Sequence, residues 1–423
     1  MLNFIFTKTP LLFLTQSFWR DEAFSYFMAK KNISEIIFLT AKDFNPPLYY
    51  FILHFWMKIF GESEIAIRSL SIVFFWATIY VVFLFITEVF KIKQKKAFSY
   101  LILFIVNPLL LYYAFEARMY SMLAFFSTLS FYALYKKKLR LYLVTSILGM
   151  YTHYFMVFVL LGQYIHRRFK QKYIFFAFLP WIIYMIFNKN FVSSSFWIHR
   201  PSLINLITFV GTIFSSYEPG LTSVNRLIIS FSIILWLIII FAFIVNQKSN
   251  TDHKKIFNLL FIWAVGTPLF VVLISFIKPI FLDRYLIFST VGLLLLLVYS
   301  MEKMSRPISV VLLIFFIGVS ICLQSVQILV RTKIPIKKSI LEIKSLMKKD
   351  DLLYVASELD YFSVLYYLQE DRVYIYGKNY ENIPDYIGKV LISKEKIALN
   401  LPFYPKKAFI LNSDGRYDIQ AMY

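Results

Sequence analysis

The sequence predicts an all-α polytopic membrane bundle of about eleven transmembrane helices, followed by a small extracytoplasmic α/β domain. Three observations predict it. First, 59% of the 423 residues are hydrophobic, only 16% are charged and mean hydropathy is +0.65; soluble domains carry about 25% charge. Second, stretches such as Ile65 to Phe90, Leu227 to Val245 and Val310 to Val330 are long, apolar and nearly free of charge. About 20 such residues cross a hydrocarbon layer, and in lipid they must be helical because each backbone polar group needs an internal partner. Third, the composition changes after Arg331, where Lys, Asp and Glu rise and the apolar residues fall into short runs.

The expected spans are 2–18, 65–90, 98–114, 119–135, 141–153, 154–166, 173–188, 224–246, 256–277, 285–300 and 308–330. The first lacks a cationic leader and a small-residue cleavage site, so it reads as a membrane helix and not a removed signal, despite Lys8 and Pro10. Cations set the orientation. Lys91/Lys93/Lys95/Lys96, Lys136/Lys137/Lys138/Arg140, Arg167/Arg168/Lys170/Lys172, Lys248/Lys254/Lys255 and Lys303/Arg306 alternate with loops poorer in cations, which places the basic set and the N-terminus in the cytoplasm. The net charge of +21 therefore reports topology, and nucleic acid is not an expected partner.

External segments follow at 19–64, 107–118, 278–284 and, longer and plainer, 189–223. In the first, Asn32-Ile33-Ser34-Glu35 forms a capping box ahead of Ile33, Ile36, Ile37 and Thr40, predicting a helix on the membrane surface that Pro46-Pro47 terminates. Residues 1–331 thus form the membrane domain and 332–423 the external one. In the latter, helices are expected at 336–348 and 359–369, with strands at 352–356, 373–376, 390–392 and 408–411.

The external segments carry the candidate chemistry. Segment 19–64 presents Asp21, Glu22 and Asp43, the last followed by Asn45 and Tyr49. Carboxylates beside hydrocarbon are costly and usually have a partner or a task; the plain alternative pairs Arg20 with Asp21 or Glu22. The turn after the third span holds Glu116 and Arg118, which could pair with each other, while Arg118 could also hold a phosphate through two parallel hydrogen bonds. Lys278, Arg284 and Tyr285 reach the same face, with membrane anchoring as the plain alternative. His153 is a lone external histidine with no second His or Cys at ligand spacing, so a zinc site is not supported. Cys322 reads as helix surface or core, and one cysteine allows no intramolecular disulfide. There is no phosphate-cradling glycine loop and no dinucleotide turn, which leaves a substrate delivered by the membrane.

Taken in order, Asp21-Glu22, Asp43…Pro46-Pro47-Leu48-Tyr49-Tyr50, Glu116-Ala117-Arg118-Met119-Tyr120-Ser121, Thr152-His153-Tyr154-Phe155 and Arg284-Tyr285-Leu286 resemble the GT-C fold glycosyltransferases, in particular the bacterial branch similar to protein O-mannosyltransferases and the lipid A aminoarabinose transferase. The resemblance covers the chain to about residue 330. It implies a polyprenyl-phosphate sugar donor and an external hydroxyl-bearing acceptor at a bacterial inner membrane. By family position it implies Asp21 as the general base, with Glu22 in support and Asp43 as a second candidate. Arg118 and Arg284 would bind the donor phosphate, assisted by Tyr285 and Lys278, while Asn45, Tyr49, Glu116 and His153 would contact substrates. Asn45 precedes Pro-Pro where relatives often carry His, Lys or a neighbour of a metal-binding acid, so no metal cofactor is assigned. A lipid-linked glycan flippase, and an oligosaccharide ligase or polymerase of the same fold, are the rival functions; a flippase predicts mid-span charges and related halves.

Overall fold

The computed structural model describes residues 2–167, 169–188, 197–217 and 225–423. Met1, Arg168 and residues 189–196 and 218–224, which include parts of the plainer external segment and Val224 of an expected span, lie outside the described residues.

Apolar length decides which helices can span a bilayer. Among the described residues five qualify: Glu64–Val89, Arg226–Gln247, Thr251–Ser275, Asp283–Met301 and Arg306–Val330. A sixth arises if Gln94–Ile105 and Pro108–Ala114, bent by 72°, are taken as one crossing. Helices Met156–His166 and Lys172–Asn188 occupy the places of expected spans but are shorter than these five. Asn205–Ser215, also apolar, is a helix that periodicity did not single out in the plainer loop. The expected first span is not continuous: Leu2–Lys8 and Leu12–Thr15 are separate helices, because Pro10 lacks the backbone N–H that would continue the ladder.

The centre of the bundle is Ile287–Met301, every residue of which is buried. Gly292 lets it approach the Trp263 indole so closely that an added Cβ would lie 2.7 Å from the ring. Trp263 stacks on Phe131 at 4.1 Å and donates from Nε1 to the Phe288 carbonyl at 2.8 Å. This packing holds the N-terminal end of the central helix, with Asp283, Arg284 and Tyr285, in a fixed place.

Segment 19–64 folds into three helices, Arg20–Lys30, Ile33–Lys42 and Leu48–Phe60. The capping box forms as read: Asn32 Oδ1 accepts from Glu35 N at 2.9 Å, and Glu35 Oε2 accepts from Asn32 N at 3.1 Å. Ile36, Thr40 and Ala41 are the buried side of that helix. The helix stops at Lys42, before the prolines, and Pro47 instead opens Leu48–Phe60.

The C-terminal domain begins with helix Ile336–Leu346 and builds a five-stranded sheet in the order β3-β2-β1-β4-β5. Its strands are β1 (Leu352–Val355), β2 (Val373–Tyr376), β3 (Ile397–Ala398), β4 (Ala408–Leu411) and β5 (Tyr417–Gln420). All neighbours run parallel except β4 with β5. The strand expected at 390–392 is instead a tight turn, Lys389–Leu391, which follows Gly388 in the left-handed region (φ 90°). An added Cβ on Gly388 would sit 2.3 Å from the Phe24 ring, so glycine is required there by both its dihedral and its closeness to segment 19–64. Helix Tyr361–Leu368 completes the seam, with Phe362 against Phe24 at 5.7 Å and Tyr366 against Tyr26 at 5.0 Å.

Candidate functional site

Where segment 19–64, the 115–118 turn, the start of the central helix and the C-terminal domain meet, two adjoining cavities of about 570 and 400 Å³ share Trp19, Asp21, Trp197 and Arg284 in their walls. The larger is also lined by Tyr112, Tyr113, Glu116, Arg331 and Lys333. The smaller is lined by Asp43, Asn45, Arg118, Tyr120 and Tyr285, with Tyr386 and Gly388 reaching in from the C-terminal domain. Asp21, Asp43, Asn45, Glu116, Arg118, Arg284 and Tyr285, far apart in the chain, are therefore brought to one place.

Glu22 is held elsewhere, in the wall behind these cavities. Its side chain is fully buried. Arg68 donates to both its oxygens at 2.8 Å, Lys333 Nζ donates at 2.8 Å, and the backbone N–H groups of Trp19 and Ala117 donate at 3.0 Å. The remaining Arg68 donors are spent on the carbonyls of Leu14 and Gln16 at 2.8 Å and Ser17 at 3.3 Å. Burial favours the neutral acid, but Arg68 and Lys333 outweigh it and hold the Glu22 carboxyl well below the usual carboxylate range. An acid so fully engaged is placed as a structural anchor, joining the end of the first segment, helix Glu64–Leu84, the 115–118 turn and the C-terminal domain.

The pairs weighed for Arg20, Glu116 and Arg118 are not those formed. Arg20 Nε donates to Asp360 Oδ1 at 2.7 Å, across to the C-terminal domain. Glu116 and Arg118 meet through the backbone, Arg118 N donating to the Glu116 carbonyl at 2.8 Å, and Ser71 Oγ fixes that turn by donating to the same carbonyl at 2.7 Å. Arg118 Nη1 donates to the Asp21 carbonyl and to Ser25 Oγ, both at 3.2 Å. Among the described residues its Nε is buried without a hydrogen-bond partner, and so is that of Arg284. The Arg284 guanidinium lies over the Trp197 and Tyr285 rings at 5.2 and 5.8 Å from their centroids. Two guanidiniums, each with a buried unspent donor, can receive an anion, because an unmatched buried donor is costly.

Arg331 and Lys333 also border the larger cavity, but their charges are already matched. Arg331 lies 3.4 Å from Asp283 and over the Tyr112 ring at 4.8 Å, and Lys333 is paired with Glu22. Glu116 is buried at the cavity wall, and burial, with the nearby charges of Glu22 and Asp21 opposing Lys333, pushes its carboxyl above the ordinary range. Asp21 is half-buried and lines both cavities.

Three expected residues stand apart. Lys278 is exposed and lines neither cavity, since Pro279 and Ile280 carry the chain away before Arg284 is reached. Tyr49 is fully buried beneath the site, edge-on to Tyr50 at 5.7 Å, because it lies on the inner face of Leu48–Phe60. His153 is buried and lines neither cavity; it packs on Tyr285 at 5.1 Å and Tyr120 at 6.0 Å and accepts at Nδ1 from Phe155 N at 3.1 Å. Among the described residues, no three His, Cys, Asp or Glu side chains converge as a metal-binding group. Sequence reasoning missed Arg68, Arg331, Lys333, Trp19 and Trp197; a lone arginine inside an apolar run was the available signal for Arg68.

The fold defines a class: a polytopic membrane bundle of apolar helices, with a small C-terminal α/β domain over an acid- and arginine-lined site. Among solved structures it is similar to ArnT from Cupriavidus metallidurans in the apo state, one of several matching chains, with a TM-score of 0.50 and 12% identity over 95% of this chain and 90% of that one. At that identity the likeness establishes the fold. No family model matches the sequence, and neither does any curated protein.

Proposed function

We propose that the protein is a membrane glycosyltransferase that moves a sugar from a polyprenyl-phosphate donor to a hydroxyl on an extracytoplasmic acceptor at a bacterial inner membrane. The observation that carries the reading is the half-buried carboxylate of Asp21, set between cavities that also present the unspent donors of Arg118 and Arg284. Asp21 takes the proton of the acceptor hydroxyl as its oxygen attacks the anomeric carbon. The bond to the lipid phosphate breaks on the opposite face, the configuration inverts, and Arg118 and Arg284 stabilise the charge growing on the leaving phosphate. Tyr285 and Tyr120 orient the donor between them, Asn45 and Glu116 hydrogen-bond sugar or acceptor hydroxyls, and Asp43 backs the acceptor side. Glu22 serves the reaction by holding the segment that carries Asp21, and no step is routed through a metal.

The test uses purified protein in proteoliposomes with synthetic polyprenyl-phosphate sugars and a bacterial envelope extract. Mass spectrometry follows free polyprenyl phosphate. Release by the wild type that Asp21→Asn abolishes supports the reading. Absence of release with every donor, together with measurable lipid scrambling, moves the assignment to a flippase; release only from diphosphate donors moves it to a ligase or polymerase.

A further inference from the structure

A third cavity, of about 360 Å³, lies at the other end of the bundle. Helix Glu64–Val89 starts near the Glu22 anchor and ends at this cavity; its 26 residues, at about 1.5 Å each, put the two roughly 40 Å apart, across the hydrocarbon layer. The cation bias marks this end as cytoplasmic. The walls come from three separate places in the chain: Phe90–Lys96, His253 at the start of Thr251–Phe261, and Tyr299–Lys303 at the end of the central helix.

Four lysines and one histidine face one acid there. Glu302 is engaged by Lys96 Nζ at 2.5 Å and by the Tyr100 hydroxyl. Among the described residues, Lys91, Lys93 and Lys303 form no ion pair. Lys303 Nζ rests on the imidazole of His253, 3.1 Å from Nδ1 and 3.3 Å from Nε2, and the Tyr299 hydroxyl, 2.9 Å from Nδ1, donates to the His253 carbonyl at 3.3 Å, so no carboxylate is spent on Lys303. Lys91 sits in the left-handed region (φ 61°), a position where glycine would be unstrained, in a turn held by Ile92 N donating to the Ile86 carbonyl at 3.1 Å. Helix Gln94–Ile105 starts beside it with Lys93 at its N-cap, no side-chain cap and no acid in its first turn, which leaves the positive end of that helix uncompensated. The four lysines are exposed, and they converge from separate elements on one concavity, with Phe90 and Ile92 as its apolar side.

We propose that this cavity binds a phosphate group, that of an anionic phospholipid headgroup of the cytoplasmic leaflet. The position at the hydrocarbon boundary, the three lysines outside any ion pair among the described residues and the adjoining apolar wall together fit a lipid phosphate better than a free one.

The test is native mass spectrometry and thermal unfolding of the full chain with phosphatidylglycerol, phosphatidylcholine or inorganic phosphate added. The wild type is expected to retain phosphatidylglycerol in preference to phosphatidylcholine and to be stabilised by it. The combined variant Lys91→Gln, Lys93→Gln, Lys303→Gln is expected to weaken that binding on the order of 100-fold. The corresponding triple arginine variant, which keeps the charges, is expected to bind like the wild type and guards against loss of fold. Equal binding of the two lipids by the wild type, or an unchanged affinity in the folded glutamine variant, overturns the site. Inorganic phosphate that protects as well as the lipid and displaces it overturns the lipid as the source.

Discussion

Asp21 and Glu22 are neighbours in the chain and opposites in the structure. Glu22 has both oxygens occupied, by a guanidinium, an ammonium and two backbone N–H groups, and it ties four parts of the molecule together. One residue earlier, Asp21 lines two cavities that also border guanidinium nitrogens without partners. Saturated charges hold a membrane protein in shape, and unsaturated ones at a cavity are left to meet a substrate. The α-helix makes the contrast possible, since consecutive side chains at its first turn point about 100° apart, one into the protein and one across the cavity.

Neutralising each acid breaks the comparison most directly. Asp21→Asn is expected to leave thermal unfolding in detergent unchanged while lowering transfer by about 10²- to 10⁴-fold, the usual worth of a general base. Glu22→Gln is expected to do the reverse in kind: it leaves Arg68 buried with too little counter-charge, at a cost of about 3–5 kcal/mol in stability. Acid sharpens this further. Because the folded Glu22 carboxyl is held below its ordinary value of 4.5, the stability it adds is fully present above that value and is lost as pH falls. The stability gap between wild type and Glu22→Gln should therefore close on acidification, measured by thermal unfolding at stepped pH. A constant gap would mean that Glu22 is not the charged partner described here.

Next in size, Arg284→Ala is expected to reduce turnover by about 10²- to 10³-fold, with Arg118→Ala similar, as for removal of a preorganised charge-stabilising donor. Steady-state kinetics with donor and acceptor varied separately checks it, because a phosphate-binding role depresses donor use more. Equal losses toward both substrates would return these arginines to the structural side of the comparison.

Much of this arrangement was legible in the residues. Local signals survived well: the Asn32–Glu35 capping box, helix Ile336–Leu346 and strands β1, β2 and β4 depend on neighbours in sequence. What failed to show depended on distant partners. Arg68 lies in an apolar run with nothing local to mark its partner, and only the folded chain reveals that Glu22 and three carbonyls surround it. Lys333 and Arg331 sit at the junction of the domains, where composition changes and pattern reading is least informative. Strand β5 alternates weakly because most of it is exposed, and residues 390–392 were apolar enough for a strand but follow a left-handed glycine that turns the backbone toward Phe24. Lys278 drew attention by proximity to Arg284 in sequence, which six residues of chain are enough to undo.

The smaller effects lie on the seam between the two domains and separate degrees of saturation. Lys333→Met removes one of several donors to Glu22 while Arg68 remains, so a loss of about 1.5–3 kcal/mol is expected, the worth of one charged hydrogen bond. Arg20→Gln is expected to cost at most about 1 kcal/mol, because the Arg20 side chain is 24% exposed and water competes for Asp360. Both bonds join segment 19–64 or its anchor to the C-terminal domain, yet they differ in burial, since the Lys333 side chain is only 5% exposed. If the two substitutions cost the same in thermal unfolding, burial does not grade these contacts. If Arg20→Gln instead lowers transfer without lowering stability, the Arg20–Asp360 bridge positions the wall of the smaller cavity, and the C-terminal domain then takes part in catalysis through that wall.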